Sequence, residues 1–113
     1  MSRELEAKEK QLRALFARMA TLGAMRPGTL TVQYRKPAEK QMPFNQLSYT
    51  HKGSSRSEYV RPENLAAVTG EVETYKRFKL IVEEVTELSL EASRLRHKRE
   101  RPTTATARPG RRR

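Results

Sequence analysis

The sequence predicts an α+β fold, mainly α. Two antiparallel helices, the second the longer, flank a small two- or three-stranded antiparallel β segment, and a disordered basic C-terminal tail follows. Three observations carry this. Apolar residues recur at three- and four-residue spacings up to Ala24, alternate with polar ones from Thr29, and return to three/four spacing after Pro62. Beyond Lys98 the pattern stops, and RERPTTATARPGRRR has too little apolar surface to order itself in isolation. Finally, 35% hydrophobic residues against 33% charged, with no Trp, allow a thin core in 113 residues. Helices packed along a stripe suit that core better than a thick sandwich. The reading gives one helix–β–helix domain, residues 1–97, and a tail, residues 98–113.

The first helix is expected over Arg3 to Ala24. Leu5, Leu12, Leu15, Phe16, Met19 and Leu22 form its apolar stripe, Ser2 is a suitable N-cap, and Pro27-Gly28 ends the pattern. In the next stretch Leu30, Val32 and Tyr34 alternate with Thr31, Gln33 and Arg35, as in a half-buried strand. Lys36 to Asn45, with Pro37 and Pro43, reads as a loop. Gln46 to Thr50 reads as a second strand, Lys52-Gly53-Ser54-Ser55 as a turn, and Arg56 to Arg61 as a third strand. The alternation leaves open whether Tyr59 or Val60 faces inward.

Pro62 suits the first position of the second helix, and Glu63 complements its dipole. Leu65, Val68, Val72, Tyr75, Phe78, Val82, Val85, Leu88, Ala92 and Leu95 then carry the stripe to His97, with Gly70 as a candidate kink. If the sheet folds the chain straight back, Leu22 falls near Leu65 and Leu5 near Val82 and Val85. The first helix then stops roughly 20 Å short of the second at ~1.5 Å per residue. Leu88, Leu90, Ala92 and Leu95 are left without an intrachain partner. Burying a Leu is worth about 1.5–3 kcal/mol, so the expected cover is a second copy of the chain, in a coiled-coil-like homodimer, or another helical protein.

The charge is unevenly spread. The chain carries +11, yet Arg94 to Arg113 holds nine of the 24 Lys/Arg and one acid. The stretch Arg26 to Arg61 has seven bases and two acids, whereas Pro62 to Ser93 has three bases and seven acids. Two basic regions form an electrostatic footprint for a polyanion, nucleic acid first. In the β segment Thr31, Gln33 and Arg35 share one strand face and Ser48 and Thr50 another, and a short sheet with a polar, basic outer face is suited to a groove or to phosphates as β-ribbon readers are. Arg35, Lys36, Lys52 and Arg56 in or beside it, with Arg99, Arg101, Arg108, Arg111, Arg112 and Arg113 of the tail, are the candidate contacts. Duplex DNA is favoured over RNA. Tyr34, Tyr49, Tyr59 and Phe44 are the aromatics available for stacking, but two or three of them are expected in the core, which disfavours single strands.

Residues Arg26-Pro27-Gly28-Thr29-Leu30, then Gly53 with Arg56, Tyr59 and Val60, then Tyr75-Lys76-Arg77-Phe78, resemble a family of small uncharacterised prokaryotic domains often found beside transposases. That resemblance, over residues 5–95, implies the helix–β–helix architecture and a link to mobile elements. Many members carry a cysteine cluster in the β segment. This chain has Lys36-Pro37-Ala38-Glu39-Lys40 there and no Cys, so no zinc role carries over.

Catalysis is not expected. The chain has no Asp, no Cys and no Gly-rich phosphate loop, and Ser54-Ser55 lacks a base and an orienting group. His51 and His97 have no partner at ligand spacing. The ladder Glu83, Glu87, Glu91, with Glu84 beside it, reads as a solvated face or as interhelix partners for Arg and Lys rather than a metal site. No cofactor is expected. The charged start MSRELEAKEK resembles no secretory signal, and no apolar run reaches the ~20 residues of a membrane span. A cytoplasmic, non-enzymatic nucleic-acid-binding accessory protein, with DNA favoured and the nucleoid one possible place for it, oligomerising through its helical stem, is the leading expectation. A protein–protein adaptor whose long helix docks on a larger partner is the alternative.

Overall fold

In a computed structural model, which describes residues 2–98, the order is helix, three strands, long helix. Helix α1 spans Arg3–Ala20, β1 Thr29–Lys36, β2 Gln41–His51, β3 Ser54–Val60 and α2 Leu65–Lys98. Single 3-10 turns lie at Pro37–Glu39 and Pro62–Asn64. The α+β reading with a long second helix holds, and the sheet has three strands in the order β1-β2-β3, all antiparallel. The chain divides into two compact units, an α/β unit Leu22–Leu80 and a helical unit formed by α1 with the part of α2 from Ile81 onward.

In the helical unit, Ser2 caps α1 as expected, its hydroxyl accepting from the Leu5 N–H at 3.2 Å. The helix ends at Ala20 rather than Ala24; Thr21 closes it with its N–H and hydroxyl both donating to the Arg18 carbonyl. Leu5, Leu12 and Ala92 form the core, with Val85, Leu88 and Leu95 packed against them. Two exposed ion pairs join the helices, Lys8 to Glu91 at 2.9 Å and Arg96 to Glu9 at 3.2 Å.

This corrects the expected overhang. Leu88, Ala92 and Leu95 have an intrachain partner, α1, and Ala92 is fully buried. Leu90 alone of the four stays half exposed. The physical reason is that the sheet occupies the first turns of α2, burying Leu65, Val68 and Val72, so α1 takes the later stripe. Leu5 therefore sits with Ala92 rather than with Val82. The stripe itself shifts by one position midway, with Ile81 buried and Val82 exposed. Gly70 makes no break; Thr74, buried at 7% exposure, donates its hydroxyl to the Gly70 carbonyl at 2.9 Å within a continuous helix.

In the α/β unit the predicted loop Lys36–Asn45 is largely strand. A four-residue hairpin, Pro37 to Lys40, turns the chain early, and Lys40 supplies the left-handed residue (φ 53°) that closes it. Pro43 is tolerated in the central strand because β2 pairs there with β1 alone, opposite Tyr34; pairing with β3 begins at Asn45. The second hairpin is tighter than expected. Only Lys52 and Gly53 turn, both at positive φ, and Ser54 and Ser55 already pair in β3. Val60 faces inward at 5% exposure and Tyr59 outward at 55%.

Leu47, Val60 and Val72 make the core of this unit, with Leu30, Tyr49, Leu65 and Val68 against it. Gly28 explains the Pro27-Gly28 turn. Its φ is +140°, and a Cβ there would lie 2.6 Å from the Leu47 side chain and 3.0 Å from the Ser48 carbonyl oxygen. Val32, expected to be half-buried, is 54% exposed, because the cluster ends before it.

Candidate functional site

Strand register decides which side chains share a face, since paired residues of antiparallel strands point the same way. The pairs Leu30–Leu47, Leu47–Glu58 and Asn45–Val60 define the inner face, against α2. Thr29–Ser48–Ser57, Thr31–Gln46–Tyr59 and Gln33–Phe44 define the outer one. With Arg35, Thr50 and Ser55 it is an exposed or half-buried surface with no acidic side chain. The predicted polar set Thr31, Gln33, Arg35, Ser48 and Thr50 is thus brought onto one face.

Hydrogen bonds order part of this face. Gln33 donates to the Thr31 hydroxyl at 3.1 Å, and the Gln46 amide donates to Ser48 at 3.4 Å and Ser57 at 3.5 Å. At the far end Phe44 and Tyr59 pair across the strands, ring centroids 6.3 Å apart and tilted by 50°. The Arg35 guanidinium lies over the Phe44 ring, 4.9 Å from its centroid. Arg35, Phe44 and Tyr59 therefore make a contiguous cation–aromatic patch. The sequence names Phe44 and Tyr59 as aromatics available for stacking but does not group them with Arg35, because alternation leaves open which of Tyr59 and Val60 points out and the prolines around Phe44 predict a loop.

The other predicted β-segment cations are not gathered with Arg35. Lys36 ends β1 beside the first hairpin, and Lys52 sits in the second. Arg56 pairs with Tyr49 on the inner face, at the opposite end of the sheet from Arg35. There it lines an open groove of 650 Å³ together with Pro27, Gly28, Tyr75, Lys76 and Lys79. Lys79 stands 6.0 Å from the Tyr75 ring centroid. No acidic residue lines this groove. Lys76 and Lys79, one helical turn apart, are not among the candidate contacts the sequence offers, because the helix that carries them is rich in acids. Arg99, Arg101, Arg108, Arg111, Arg112 and Arg113 lie outside the described residues.

One inner-face carboxylate, Glu58, is neutralised locally. It accepts from the Tyr49 hydroxyl at 2.6 Å and pairs with the Arg26 guanidinium at 2.5 Å, which itself lies over the Tyr49 ring. The hydroxyl first, then the guanidinium, holds the Glu58 carboxyl below its ordinary range. The same contacts raise Arg26 and Tyr49, in each case chiefly through the hydrogen bond with Glu58. The Arg26 N–H also donates to the Glu71 carbonyl at 3.0 Å, tying the chain before β1 to α2.

Glu87 and Glu91 of the acidic ladder, with Glu84 but not Glu83, line a second groove, of 420 Å³, where they meet Gln11 and Arg18 around Leu15 and Leu88. Glu91 serves there as an interhelix partner, for Lys8. Among the described residues no group of three or more His, Cys, Asp or Glu is placed to hold a metal ion, and no helix is long and apolar enough to cross a membrane. No protein-family model, curated protein or solved structure matches the chain.

Proposed function

We propose that this protein binds nucleic acid through its β-sheet, with the basic C-terminal segment adding phosphate contacts. One observation carries the reading: the solvent face of the sheet has no acidic residue, and its amides, hydroxyls and single guanidinium are the groups that meet bases and sugar–phosphates. In a chain with 13 acids, keeping an exposed sheet face free of them favours an anionic partner. The groove with Arg56, Lys76 and Lys79 supports the same partner, offering a second place for phosphate oxygens.

The test is fluorescence anisotropy of labelled single-stranded and duplex oligonucleotides across a salt series starting near 50 mM, where phosphate contacts are strongest. Wild type is expected to bind, and Lys76→Ala with Lys79→Ala to lower the slope of log K against log salt by roughly 1–2. Absence of binding to either form at the lowest salt rejects the reading. The surviving alternative is then an adaptor that docks on another protein.

A further inference from the structure

The outer face is poorly built for a duplex. Reading a groove requires cations that straddle it to meet the phosphates on both sides, and the duplex carries a negative charge every ~1.7 Å. Across the eleven outer positions Arg35 is the one base, and its guanidinium is already placed over Phe44. What the face does offer is exposed aromatic surface, chiefly the Tyr59 ring. Tyr59 is 55% exposed, Phe44 is half-buried beside it, and the exposed Arg35 side chain covers the Phe44 ring with its guanidinium. A cross-strand aromatic pair stabilises a sheet, but that alone requires no acid-free surround with amide and hydroxyl groups alongside.

We infer that the patch of Arg35, Phe44 and Tyr59 is a stacking platform for unpaired nucleobases, so that the ligand class of the outer face is single-stranded nucleic acid. The inference rests on the nucleic-acid reading above and narrows it. Every base has a π-face, so stacking tolerates any sequence and needs little charge. Thr31 and Gln46, in register with Tyr59, lie within the same face to meet a stacked base's polar edge. A base in duplex stacks on its neighbours and cannot stack on Tyr59 without being extruded.

The experiment compares wild type, Tyr59→Phe and Tyr59→Val on short oligo-dT, oligo-rU and the matched duplex at one salt concentration. Val keeps strand propensity while removing the ring, and circular dichroism with a thermal melt verifies that each variant is folded. Wild type is expected to bind single strands more tightly than duplex. Tyr59→Val should weaken single-strand binding by about tenfold and leave duplex binding unchanged, with Tyr59→Phe near wild type. The chain has no Trp, so its tyrosine emission reports directly; part of the quenching by oligo-dT should vanish in Tyr59→Phe. The dT and rU arms separate DNA from RNA. Tighter duplex binding, or unchanged single-strand binding by folded Tyr59→Val, overturns the platform while leaving the nucleic-acid reading intact. No binding to any oligonucleotide overturns both.

Discussion

Glu58 shows how one side chain couples the sheet to the chain before it. Its carboxylate holds the Tyr49 hydroxyl and the Arg26 guanidinium together, and Arg26 also reaches α2 through its N–H. A carboxyl whose folded pKa is lowered contributes stability that is fully present above its unfolded pKa, about 4.3. That contribution is lost as pH falls through the folded value. An acid titration followed by near-ultraviolet circular dichroism of the tyrosines should therefore show a loss below about pH 4 that Glu58→Gln lacks. At two other positions the backbone sets the residue. Gly28→Ala places a Cβ against Leu47 and the Ser48 carbonyl at a φ that L-residues avoid, and is expected to cost about 1–3 kcal/mol in a denaturant melt. Lys52, at φ 52° in a two-residue turn with Gly53, is the reverse case. Asn tolerates this conformation far better, so Lys52→Asn should raise the melting midpoint, by up to about 1 kcal/mol in stability.

At the level of elements, periodicity located both helices and all three strands, but not which half of α2 each would meet. That choice is tertiary. A stripe from Leu65 to Leu95 offers the same apolar chemistry along its length, and only the sheet's occupation of Leu65, Val68 and Val72 leaves the remainder for α1. The same limit explains the lost loop, because Pro37 and Pro43 look like breakers until one sees a four-residue hairpin and a half-unpaired central strand around them. The packing of α1 against the later stripe decides what a paired substitution there does. Leu88→Glu with Leu95→Glu would break a surface association if those residues formed an overhang. Here they pack against Leu5, Leu12 and Ala92, and the charges would be driven into the α1–α2 core. The double variant is expected to undock α1, with lost cooperativity in the thermal melt and destabilisation of at least about 3 kcal/mol. Leu90→Glu, at a half-exposed position, should change stability by less than about 0.5 kcal/mol. A double variant that melts like wild type, with only its mass altered in light scattering, would restore the overhang.

Over the whole molecule, charge separates the parts more sharply than sequence does. Residues 22–80 carry ten bases against five acids, and residues 99–113 six against one. The helical unit, through Lys98, has eight against seven, and some of those are already spent on Lys8–Glu91 and Arg96–Glu9. Its surface therefore has little net pull on a polyanion, and the basic footprint read from the sequence resolves into the α/β unit and the C-terminal segment. These two should act differently. Side chains on the sheet are fixed by strand register, and on the proposed reading they are the part that discriminates between paired and unpaired bases. Arginines in a segment as polar as RERPTTATARPGRRR are expected to add charge without sequence preference. Each phosphate contact contributes roughly 0.7 to the salt slope on single strands. If about half of the six arginines engage, truncation after Lys98 should flatten that slope by about 2 units. It should leave untouched both the preference for single strands and the loss caused by Tyr59→Val. A truncation that abolishes the preference along with the slope would place recognition in the C-terminal segment and reduce the sheet to a scaffold.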